Sequence, residues 1–149
     1  FEALKECPEL VKAESDPMWF LRFEGYDLWA AARHLTTYWT WRKRLFGHRA
    51  FLPLTMTGDG ALSLEDIVHI RRGYFSMLPN DEAGRSVIVY DPSRRVHHCK
   101  ETRMRVGFYF WSVISSNEIT RRDGWVGIVL LGTSGFLTSS LDGAIRECL

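Results

Sequence analysis

Two short, continuously apolar runs limit this fold most: Val87-Ile88-Val89-Tyr90 and Trp125-Val126-Gly127-Ile128-Val129-Leu130-Leu131. Neither alternates with polar residues. An unbroken, β-branched run of that length is what a strand covered on both faces requires. Turn residues precede each, Pro79-Asn80-Asp81-Glu82-Ala83-Gly84 before the first and Arg122-Asp123-Gly124 before the second. Between them, Thr102 to Asn117 carries Met104, Val106, Phe108, Tyr109, Trp111, Val113 and Ile114, and its length favours a helix over a strand. Gly132 to Gly135 then reads as a loop, and Thr138, Ser139 or Ser140 caps a final helix through Ile145. The tail is therefore β-α-β-α, a right-handed crossover unit of a mostly parallel, mixed sheet.

The first half reads as helices. Leu4, Cys7, Leu10 and Val11 keep helical spacing between Glu2 and Ala13, and Pro8 divides that stretch. Asp16-Pro17 opens a second helix with an N-cap and a proline at the first position, bearing Trp19, Phe20 and Phe23 and closed by Gly25. Asp27 caps the strongest helix. There Leu28, Ala31, Ala32, Leu35, Trp39, Arg42 and Phe46 form one stripe, with Arg42 its only polar member. Arg33, Thr36, Thr40, Lys43 and Arg44 cover the other side, and Gly47 ends the helix. After a loop over Thr55 to Gly60, Ser63-Leu64-Glu65-Asp66 resembles a capping box, opening a helix with Ile67, Val68, Ile70, Tyr74 and Phe75. The expected architecture is α/β, with a helical lobe over 1–80 and the sheet region over 81–149.

Composition narrows the functional classes. The 149 residues are 46% hydrophobic and 13% aromatic, enough apolar side chain for a packed core and against disorder. A net charge of +1 argues against a nucleic-acid binder, where a strongly basic face is expected. Basic pairs and triplets such as Arg42-Lys43-Arg44, Arg71-Arg72, Arg94-Arg95 and Arg121-Arg122 fall at helix ends and loops. Solvated termini are their first explanation and contact with an anionic lipid surface the second. Cys7, Cys99 and Cys148 have no paired spacing, so neither a disulfide framework nor a zinc site follows, and a reducing compartment fits best. His97-His98-Cys99 has metal-ligand chemistry, but adjacent side chains diverge and no second ligand cluster completes a tetrahedral set. The longest apolar run falls well short of a membrane span, and no signal peptide is read. The chain begins at Phe1 without Met and stops within a helical pattern, so further sequence is expected outside it.

No constellation selects catalysis. Gly132-Thr133-Ser134-Gly135 has the position of a phosphate cradle but neither GxGxxG spacing nor a GK[ST] ending, and it is no nucleophile elbow. The His and Asp residues have no spacing that singles out a triad. Binding is better supported. Val87, Val89, Ile128 and Leu130 form one alternating set, and Ser86, Ile88 and Tyr90 with Val129 and Leu131 form the other. Phe108, Tyr109 and Trp111 come from the helix between. One uncovered face would floor an apolar site, whereas two covered faces would make the same residues core.

The run Phe20-Leu21-Arg22-Phe23, Tyr26-Asp27, Ala31-Ala32, Leu35, Tyr38, Trp41-Arg42 resembles the helical N-terminal module of CRAL-TRIO proteins. Gly84-Arg85-Ser86-Val87 resembles the "DGRPV" lead into the first strand of that family's lipid-binding domain, and Val126 to Gly135 resembles a later strand. The likeness runs in order from about Leu10 to Ile145. It implies a carrier of one hydrophobic ligand, such as a phosphoinositide, a phospholipid or an isoprenoid lipid, and no enzyme. No cofactor other than the bound lipid is implied. By the same likeness Ser139 lies near the ligand and Tyr90, Tyr109 and Trp111 are pocket walls, while Ile128 and Leu130 belong to the floor that an uncovered sheet face would supply. A cytoplasmic monomer in transient, peripheral contact with membranes is the implied setting. Leu131-Gly132-Thr133-Ser134-Gly135 departs from the family's Asp-x-x-Gly register. The later strands and gate helix would fall beyond Leu149, which implies an incomplete copy of the domain that retains lipid poorly by itself. The alternatives are a ligand-free interaction module on a degenerate lipid-binding fold and, more weakly, a hydrolase of unrecognised type.

Overall fold

A computed structural model describes residues 2–94 and 100–130 of the chain. In order they form α1 (Glu2–Glu6), α2 (Pro8–Glu14), α3 (Pro17–Phe23), α4 (Leu28–Phe46), α5 (Leu64–Arg71), β1 (Phe75–Leu78), β2 (Val87–Tyr90), α6 (Lys100–Ser115), α7 (Glu118–Asp123) and β3 (Val126–Val129). The helix boundaries follow local chemistry. Pro8 opens α2, where its missing N–H is not needed, and so separates α1 from α2. The Asp16 carboxylate accepts the N–H of Met18, and that of Asp27 accepts the N–H groups of Trp29 and Ala30, each at 2.9 Å. Ser63 and Asp66 complete the capping box at α5.

Helix α4 organises the first half. It buries Ala31, Leu35, Trp39 and Phe46, while Leu28 and Ala32, expected on the same stripe, lie exposed. Ala3 and Val11 of α1 and α2 pack with Leu35 and Trp39. Arg42 is fully buried in the middle of this face. Its Nε donates to the Ala50 carbonyl at 2.7 Å and Nη2 to that of Leu52 at 2.8 Å. Nη1 donates to Glu14 at 2.5 Å and to the Tyr38 hydroxyl at 3.2 Å. The other Glu14 oxygen accepts the Leu54 N–H at 2.8 Å, so one ion pair ties α2, α4 and the chain after α4 together. A buried cation is tolerated only when its donors are satisfied this fully.

The sheet has the order β1-β2-β3, with β2 and β3 parallel and β1 antiparallel to β2. The parallel pair and the helical crossover are as expected, and the sheet is mixed. Two expectations change. Helix α5 stops at Arg71, whereas Tyr74 and Phe75 were expected within it. Gly73 takes φ +75°, which a continuing helix cannot accommodate, and Phe75 instead begins β1 and pairs with Tyr90. The sheet thus takes a strand from before position 81. The second apolar run was expected to be buried on both faces. It is the outer strand of the described sheet, and Ile128, Val129 and Leu130 are exposed.

One more element was not anticipated. Asn117 accepts the N–H groups of Ile119 and Thr120 at 2.9 and 3.2 Å and so starts α7, where the sequence had suggested only a turn. Helix α7 anchors the lead into β2. The Thr120 hydroxyl accepts the Ser86 N–H at 2.8 Å, and Asn117 donates to the Gly84 carbonyl at 3.0 Å. On the near side of that turn Asp81 accepts from both the backbone N–H and Nε of Arg85 at 2.8 Å. These contacts hold the Asp81 carboxyl below its ordinary range. The helical and sheet regions share apolar contacts, since Phe108 and Tyr109 of α6 pack on the cluster of Phe46, Ala50, Leu62 and Ile67.

Candidate functional site

Strand alternation and register divide the sheet into two faces. Pairing of Phe75 with Tyr90, Met77 with Ile88 and Tyr90 with Val129 puts those residues on one side. Pairing of Leu78 with Val87, Val87 with Val126 and Val89 with Ile128 puts those on the other. Leu130 continues the second set, its N–H donating to the Tyr90 carbonyl at 2.9 Å.

Helix α6 covers the middle of the first face, and Met77 and Val129 on the outer strands of that face stay exposed. Ile88 is buried with Val106, Phe110 and Ile114, and Phe75 packs against the same cluster. At the β3 end the Trp125 indole folds over Gly127, where a Cβ would lie 2.6 Å from the ring. Trp125 also meets Trp111 edge-on, with ring centroids 5.1 Å apart. A glycine inside β3 thereby has a reason: it makes room for the indole of the residue that leads into the strand. The second face is different. None of its residues joins a buried apolar cluster among the described residues. Val87 is buried, but Leu78 and Ile128 are exposed and Leu130 keeps 47% of its surface open.

The residues expected to share a pocket are therefore split by the sheet. Ile128 and Leu130 lie on the open face. Tyr90 lies on the covered face, its hydroxyl 2.7 Å from that of Tyr74 and its ring 5.4 Å from Phe75. Tyr109 packs into two apolar clusters, and burial pushes its phenol above the ordinary tyrosine range. Trp111 is held by Trp125 on that same side. The cause is parity: Tyr90 pairs with Val129, so it cannot share a face with Ile128 or Leu130. Ser139, the loop Gly132 to Gly135 and His97-His98-Cys99 lie outside the described residues.

A partly open cavity of ≈170 Å³ lies elsewhere, lined by Leu45, Phe46, Arg49, Ser63, Asp66 and Arg105 among others. It is smaller than the ~300 Å³ at which small-molecule sites begin. Its polar groups are also engaged. Asp66 accepts from Arg105 Nε at 2.9 Å and from the Ser63 hydroxyl at 2.8 Å. Arg49 donates to the carbonyls of Gly58, Gly60 and Leu62. Among the described residues no buried side-chain polar atom lacks a partner, and no group of three or more His, Cys, Asp and Glu is placed to hold a metal. No helix of the described residues is long and apolar enough to cross a membrane.

The chain matches no protein-family model, no curated protein and no solved structure. Among the described residues the chain has an α/β fold with a mixed, three-stranded sheet.

Proposed function

We propose that this protein binds and carries a hydrophobic ligand of lipid type, in the manner of the CRAL-TRIO family that its ordered motifs resemble. One observation carries the reading. The sheet carries Leu78, Val89, Ile128 and Leu130 on a single side together with the buried Val87, and no described apolar cluster includes them. Such a surface suits an acyl or isoprenoid chain, whose burial contributes ~0.8 kcal/mol per CH₂. The site is the face bearing Ile128 and Leu130. Tyr90, Tyr109 and Trp111 support it from behind, by fixing the sheet against α6. The ligand is held without a covalent step, and transfer between membranes is its release at a second surface.

Native mass spectrometry of the protein purified from cells tests this. A co-purified lipid is expected, and replacing Ile128 and Leu130 together by Ser should reduce its occupancy by about tenfold. A ligand-free protein that also fails to move lipid between vesicles would favour a ligand-free interaction module instead. Ester hydrolysis abolished by a Ser→Ala or Cys→Ala change would revive the hydrolase reading.

A further inference from the structure

The turn between α3 and α4 exposes its largest side chains. Phe23, Tyr26, Leu28 and Trp29 retain between 62% and 79% of their surface. Their backbone is nevertheless well fastened. The Tyr26 N–H donates to Leu21 at 2.8 Å, the Asp27 N–H to Glu24 at 3.1 Å, and Asp27 caps α4. Tyr26 itself stands at φ +69°, a left-handed conformation that glycine adopts more readily than tyrosine. The tip is thus an ordered turn that holds aromatic rings outward.

Its charges are arranged unevenly. Both carboxylates are occupied within the tip, Asp27 by backbone N–H groups and Glu24 by His34 at 2.8 Å. Arg22 and Arg33 flank the rings and are exposed, and neither has an ion-pair partner among the described residues. Arg33 lies one helical turn beyond Trp29 on the same side of α4. Outward Trp, Tyr and Phe bordered by unpaired guanidinium groups is the chemistry of the bilayer interface, where ring and headgroup sit at one depth. A protein partner fits less well. Complete burial of these side chains would cover on the order of 500 Å², short of the ~800 Å² per partner of a stable interface.

We propose that the α3–α4 tip docks the protein on an anionic bilayer, with Trp29, Leu28, Tyr26 and Phe23 entering the interfacial layer and Arg22 and Arg33 meeting lipid phosphates. This docking is independent of the lipid-carrier reading, because a tip can seat on a membrane whether or not the sheet holds a ligand.

Cosedimentation of the whole chain with sucrose-loaded vesicles, phosphatidylcholine alone or mixed with phosphatidylserine, tests it. Binding to the mixed vesicles is expected. The pair Phe23→Ser and Trp29→Ser should weaken it at least about tenfold. Arg22→Gln and Arg33→Gln should each cost about fivefold, and only where phosphatidylserine is present. Trp29→Phe should keep the binding while reducing tryptophan quenching by brominated lipid. Absent binding by the unaltered chain, undiminished binding by the Ser pair, or full quenching in Trp29→Phe would each overturn the proposal. So would a dimer of the unaltered chain that Trp29→Ser dissociates. Docking without a co-purified lipid would support this inference and count against the carrier reading, and the reverse result would separate them the other way.

Discussion

Helix α4 and strand β3 are both rich in large apolar residues, and those residues meet opposite fates. In α4 Ala31, Leu35, Trp39 and Phe46 are buried, and even Arg42 on the same stripe is closed off from water. In β3 the run through Ile128, Val129 and Leu130 is the more continuously apolar of the two, yet it stays exposed. Periodicity explains the difference. Apolar residues at helical spacing name one face and leave the other polar, so the inside is specified by the chain itself. A continuous strand names no face, and its burial depends on whatever packs beside and above it.

The contrast can be attacked at its strongest point first. Arg42→Met removes a cation that satisfies Glu14 and two backbone carbonyls, leaving a carboxylate and main-chain oxygens in apolar surroundings. A loss of about 3–5 kcal/mol is expected, read as a fall in the urea midpoint. A near-neutral result would mean that α4 is held by its apolar contacts alone.

The two faces of the sheet provide the next comparison. Ile88→Ala, beneath α6, should cost about 2–4 kcal/mol in the same measurement. Ile128→Ala, on the open face of the same sheet, should stay within about 0.5 kcal/mol. Equal losses at the two positions would show that both faces are packed, and would remove the floor on which the proposed ligand rests.

Much of the first half was legible because its signals are local. The caps at Asp16, Asp27 and Ser63, the break at Pro8 and the placement of Arg42 on the apolar side of α4 each rest on a few neighbouring residues. The spacing of Tyr74 and Phe75 continues the α5 pattern, but the left-handed Gly73 ends the helix before them. Helix α7 is six residues long, so it has too few turns to set an apolar period, and Asn117 at its cap is its one local signal. In the candidate site, the alternating sets along β2 and β3 were readable and agree with the observed pairing. That pairing parts Tyr90 from Ile128 and Leu130, and the packing of α6 on the Ile88 side parts Tyr109 and Trp111 from them.

By itself the sequence determined where helices begin, which side of α4 turns inward, and that two apolar strands lie parallel across a helical crossover. These follow from hydrogen-bond caps and from periods of 3.6 and 2, which act over a few residues. Only the tertiary structure decided that β1 adds an antiparallel neighbour, that α6 covers the face bearing Ile88, and that Ile128 and Leu130 remain open. Those outcomes depend on contacts between segments far apart in the chain. A short strand carries the same apolar residues whether a helix or water lies above it, so its pattern cannot distinguish core from binding surface.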